Sequence, residues 1–140
     1  MNKKLLRKLE RLAALTRREL SDFVLSKDCF ELDWSCSCLV CSWVLEKVLK
    51  AHGFKAELCI GKYDNMHHAF VLVDGFVVDI TATQFRNPEV VIEPFEGSDY
   101  KSDYRGIKAH RAINGWPSEQ SPRTYKKALN KIFNRIIETS

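Results

Sequence analysis

The chain has 140 residues, 45% hydrophobic and 29% charged, which suits one domain with one sizeable core and leaves too little for two. With no apolar run of about 18 residues and no basic-then-apolar leader, a cytoplasmic protein without membrane contact is expected. The formal net charge of +4 hides an asymmetry: residues 1–20 carry seven Lys or Arg against two Glu, residues 101–140 nine against three, and the middle six against thirteen. Basic ends of this kind read as solvated helix faces that complement an acidic middle, and nothing base-specific points to nucleic acid.

The first predicted element runs from Leu5 to Val24, where Leu5, Leu9, Leu12, Leu20 and Phe23 recur near the helical period and Lys and Arg fill the other face. Five cysteines follow, Cys29, Cys36, Cys38, Cys41 and Cys59, an odd number with three crowded into six residues. That is not a secreted disulfide framework, so reduced thiols are expected.

A second helix is predicted from about Cys38 to His52, apolar on more than one face through Leu39, Val40, Trp43, Val44, Leu45, Val48 and Leu49, and stopped by Gly53. Such a helix belongs at the centre of the fold. Cys38 opens it, where backbone N–H groups and the helix dipole favour a thiolate.

Three strands come next, about Lys55 to Lys62, His67 to Val73 and Phe76 to Thr81, then a shorter one near Val90 to Phe95. Val73-Asp74-Gly75-Phe76 is a two-residue hairpin signal. It pairs Val73 with Phe76, hence Phe70 with Asp79 and His68 with Thr81, so His68 and Asp79 become diagonal neighbours on one face while His67 points the other way. The polar stretch Glu96 to Pro122 reads as a long loop, carrying Tyr100, Tyr104, His110 and Trp116, that borders a groove at Cys38. A closing helix from about Arg123 uses Tyr125, Leu129, Ile132, Phe133, Ile136 and Ile137. Helix, helix, antiparallel sheet and helix make an α+β arrangement.

Cysteine at a helix start, then the His68-Ala69-Phe70-Val71 run, then Asp79 within DITATQF resemble the transglutaminase-like branch of the papain-like cysteine hydrolase and acyltransferase superfamily, in the manner of its small bacterial and phage members. The resemblance spans roughly residues 34 to 95; the terminal helices carry no matching motif. It implies that residues 1–140 form a single papain-like, transglutaminase-like domain, its Cys-bearing helix packed on a small antiparallel sheet. It also implies a hydrolase, deamidase or acyltransferase in which Cys38 is the nucleophile, His68 the general base and acid, and Asp79 the orienter of His68. No cofactor is required, hydrolysis is favoured over transfer, and a protein or peptide-like substrate is preferred.

Alternatives stand beside this reading. Ser35-Cys36-Ser37-Cys38-Leu39-Val40 echoes papain-like cell-wall endopeptidases and would make Cys36 the nucleophile. Cys29, Cys36, Cys38 and Cys41 with His67 or His68 are ligand types that zinc accepts. Cys41 lies inside the helix, Cys29 and Cys59 read as buried small hydrophobes, Trp34 as a groove or core residue, and Gln84 as an oxyanion donor or a structural group. The backbone N–H of Cys38 is the safer oxyanion donor. A non-catalytic binding protein of the same fold is the competing class.

Overall fold

The computed structural model describes residues 1–24, 37–86, 88–116 and 120–140. Helix α1 spans Lys3–Val24 and α2 spans Cys38–Ala51; strands β1 (Ala56–Tyr63), β2 (Met66–Val73), β3 (Phe76–Asp79), β4 (Val91–Pro94) and β5 (Tyr100–Arg105) follow, then α3 (Ile107–Ala112) and α4 (Lys126–Thr139). The α+β arrangement is as expected from the sequence, with one strand and one helix more. The five strands form one antiparallel sheet in the order β4-β3-β2-β1-β5.

Apolar spacing decides which faces are buried. Leu9, Leu12, Ala13, Leu20 and Val24 line one side of α1, and Leu129, Ile132 and Ile136 one side of α4. Helix α2 is apolar almost all round and packs between them, with Val71, Val73, Val78 and Ile80 of the sheet closing the same cluster. It ends as Gly53 predicts: Gly53 has φ +88°, its N–H bonds to Lys50 C=O at 3.0 Å, and the Phe54 N–H bonds to Leu49 C=O at 3.0 Å. The other sheet face holds Cys59, Phe70, Leu72, Val77, Val91 and Tyr100.

The Asp74-Gly75 turn takes positive φ at both residues, 52° and 80°, and fixes the expected register of Val73 on Phe76, Leu72 on Val77 and Val71 on Val78. Strand β3 stops at Asp79 rather than Thr81, because the Thr81 N–H turns back to donate to Asp79 Oδ1 at 2.9 Å instead of continuing the ladder.

Glu96 to Pro122 is not a loop. It contains β5 and α3, and β5 pairs with β1 across a bulge at Ile60 and Gly61. A Cβ on Gly61 would run into the Lys101 carbonyl, so the close approach of these two strands requires glycine. Among the described residues, no helix is long and apolar enough to cross a membrane.

Candidate active site

His68 and Asp79 meet as the hairpin register demands. His68 Nε2 lies 2.7 Å from Asp79 Oδ2, and both side chains are fully buried. His67, one residue earlier, is exposed, as the alternation of a strand requires. The carboxylate is saturated: Oδ1 accepts from Thr81 N at 2.9 Å and from Thr81 Oγ1 at 3.3 Å, and Oδ2 accepts from the Tyr100 hydroxyl at 2.6 Å as well as facing His68. The imidazole is walled by Phe85, whose ring stands edge-on at 5.1 Å, and by Phe70 and Tyr100.

With Nε2 committed to Asp79, the other ring nitrogen is the one available to a third group. Among the described residues, His68 Nδ1 and Ser37 Oγ are the two buried side-chain polar atoms with no hydrogen-bond partner, and they belong to the surroundings of Cys38. Burial by itself would push the His68 pKa down. The hydrogen bond to Asp79 and then the neighbouring Cys38 outweigh it and hold the ring up at about 10. Cys38 is therefore close enough to favour the imidazolium, although sulfur and Nδ1 do not close a hydrogen bond of good geometry.

Cys38 is the first residue of α2 and only 5% exposed. Ser37 occupies the N-cap without capping the helix amides through its hydroxyl, and the first turn holds no acidic side chain. The start of a helix carries the positive end of its dipole, which favours a thiolate at Cys38. Ala109 and Ile113 pack in the same apolar cluster as Cys38, with Leu39, Leu58 and Ala69 beneath and Trp116 at its margin. From the stretch expected to border the cysteine, α3 and the turn after it share this cluster, while Tyr100 goes instead to Asp79 and Tyr104 is exposed.

The other described thiols are different. Burial pushes Cys41 and Cys59 up to about 12 each, which leaves them protonated and inert at neutral pH. Cys29, Trp34, Ser35, Cys36 and the side chain of Gln84 lie outside the described residues. Among the described residues no three His, Cys, Asp or Glu side chains converge for a metal.

Three residues matter here in roles that the sequence did not announce. Thr81 and Tyr100 complete the shell of Asp79, and Glu46, 2% exposed on α2, accepts from Leu58 N–H at 2.6 Å and pairs with His110 Nε2 at 2.6 Å. Glu46 carried a signal, being the lone acidic residue in a helix apolar on several faces; Tyr100 carried none. A cavity of about 700 Å³ opens along α3, lined by Lys50, Glu57, Arg105, Ile107, Lys108 and His110 among others; Lys50 stands at the opposite end of α2 from Cys38, and neither Cys38 nor His68 lines it. Compared with protein-family models, curated proteins and solved structures, the chain matches none.

Proposed function

We propose that the protein is a cysteine-dependent hydrolase of amide or peptide bonds, on a papain-like, transglutaminase-like core, with Cys38 as nucleophile, His68 as general acid and base, and Asp79 as its orienter. One observation carries the reading: a fully buried imidazole fixed by Nε2 on a saturated carboxylate, its Nδ1 unbonded, with a helix-start cysteine beside it. A purely structural His–Asp pair has no need of a buried nitrogen left without a partner, since that vacancy costs free energy.

In the reaction, Cys38 Sγ attacks the carbonyl carbon and forms the C–S bond as the C=O electrons move to oxygen, which the N–H groups at the start of α2 receive. The oxyanion collapses, the C–N bond breaks, and His68 gives its proton to the departing amine. A water then loses its proton to His68 and attacks the thioester, and the C–S bond breaks to return the Cys38 thiolate and release the acid. Each step uses groups of this chain, substrate and water.

Iodoacetamide labelling at pH 7, read by peptide mass spectrometry, tests the assignment. Cys38 is expected to label ahead of Cys29, Cys36, Cys41 and Cys59. A thiol of ordinary pKa is only about 3% ionised at pH 7, so a thiolate gains up to roughly 30-fold in rate. Faster labelling of Cys36 would move the nucleophile to the cell-wall-type register. Uniform slow labelling would favour a binding protein of the same fold, a reading that draws on the burial of Cys38.

A further inference from the structure

Asp79 Oδ2 serves two partners at once, His68 Nε2 at 2.7 Å and the Tyr100 hydroxyl at 2.6 Å. Tyr100 comes from β5, at the far edge of the sheet from β3 and β4, and its ring lies 5.0 Å from Phe70 and 4.8 Å from Tyr63, its partner on β1. Those contacts leave the ring no freedom to follow the carboxylate. Thr81 holds Oδ1 and the phenol holds Oδ2, so together they set where the carboxylate lies and how it meets His68 Nε2.

We propose that Tyr100 is a positioning residue of this site: its phenol holds Asp79 Oδ2 on His68 and draws off part of the negative charge with which the carboxylate grips the imidazolium. The inference rests on the catalytic reading above and adds a part to it. Two donors to one oxygen compete, so a strong bond from Tyr100 weakens the hold on the imidazolium. An imidazolium held too tightly is a poor proton donor to a leaving amine, and a weaker hold brings its proton affinity toward the working range. Tyr100 can only donate here, since burial and then the charge of Asp79 push its own ionisation well above the usual phenol range. The titratable and charged groups that face the pair are Cys38 from α2, Tyr63 from β1, and Arg86, which lies against the phenol and is itself held by Glu93 of β4 at 2.8 Å.

The experiment is Tyr100→Phe, which keeps the ring and removes the donor. The titration of the His68 ring is followed by NMR, alongside thermal unfolding. The ring midpoint is expected to rise by on the order of half a pH unit to one unit. A lower melting temperature with the ring midpoint unmoved, or a midpoint moved the other way, overturns the proposal and leaves Tyr100 a packing residue. Should Tyr100→Phe not fold, 3-fluorotyrosine at position 100 preserves the shape and strengthens the donor; the ring midpoint must then fall. The ring titration reads the Asp79–His68 pair whether or not Cys38 is a nucleophile. A moved ring with slow, ordinary Cys38 labelling in the unaltered protein would therefore sink the catalytic reading and keep the coupling.

Discussion

Two histidines in this protein hold a carboxylate at nearly the same distance, His68 on Asp79 at 2.7 Å and His110 on Glu46 at 2.6 Å. Their surroundings separate them. The first pair is fully buried on both sides, whereas the His110 side chain is 36% exposed and Glu46 is 2% exposed. Glu46 also accepts from the Leu58 amide and lies 3.6 Å from Lys50, so this carboxylate ties α2, β1 and α3 together. Asp79 takes its donors from Thr81 and Tyr100 and faces a ring whose second nitrogen looks toward a thiol. A short His–carboxylate distance marks neither pair as chemical; full burial and the neighbouring Cys38 distinguish the His68 pair.

Parallel substitutions should separate the pairs most widely in thiol reactivity. His68→Ala is expected to lower Cys38 labelling at pH 7 by up to roughly 30-fold, the ratio between a full thiolate and an ordinary thiol. Asp79→Asn should lower it less, because the imidazole remains but loses the charge that stabilises its protonated form. His110→Ala should not lower it at all. Equal losses from His68→Ala and His110→Ala, read by mass spectrometry on folded protein, would erase the distinction drawn here.

Stability against pH offers a second contrast. The folded pKa of His68, about 10, lies above the ordinary 6.5, so the native state binds the proton more tightly than the unfolded chain does. The stability gained is fully present below pH 6.5 and is lost as pH rises toward 10, with a slope of at most about 1.4 kcal/mol per pH unit from this group. Urea midpoints from pH 6 to 10 should therefore fall more steeply for the unaltered protein than for Asp79→Asn, while His110→Ala keeps the steep fall. Identical profiles for the unaltered protein and Asp79→Asn would show that His68 is not held as an imidazolium.

Local rules carried the centre of this fold and ran out at its edge. The Asp74-Gly75 turn needs only neighbouring residues to set its register, and that register alone puts His68 and Asp79 on one face and turns His67 away. Cys38 and Gly53 bound a helix whose apolar content is continuous, so its ends were legible. Strand β5 reads YKSDYR and buries only Tyr100 fully, which leaves no period-two signal to find, and the six residues of α3 are too few to show a helical period. The bond from Tyr100 to Asp79 joins two strands that are not neighbours in the sheet, over a separation of 21 residues, and no pattern in the chain announces it.

The smallest expected effect concerns access. Cys38 is 5% exposed, and Ala109 and Ile113, on α3 and the turn that follows, belong to the same apolar cluster. Cavities of about 700 Å³ and about 250 Å³ flank that segment, and His110 lines both of them. Gly106 precedes α3 at φ +59°, a conformation that favours glycine, so the segment begins at a point of backbone freedom. The bond from His110 to Glu46 ties α3 to α2 from within that space. A hydrogen bond of about 1 kcal/mol corresponds to roughly a fivefold change in an opening equilibrium. His110→Ala is thus expected to raise Cys38 labelling about two- to fivefold, and to speed amide exchange in residues 107–113 while leaving α1 and α4 unchanged. Labelling is best compared at pH 10 as well as pH 7, because ionisation then limits the thiol less and access more. Glu46→Gln keeps an acceptor for the Leu58 N–H and weakens only the charged contact, so it should give a smaller rise in the same direction. If His110→Ala accelerates exchange in α3 and labelling does not follow, α3 moves without uncovering Cys38, and the thiol is reached from another side.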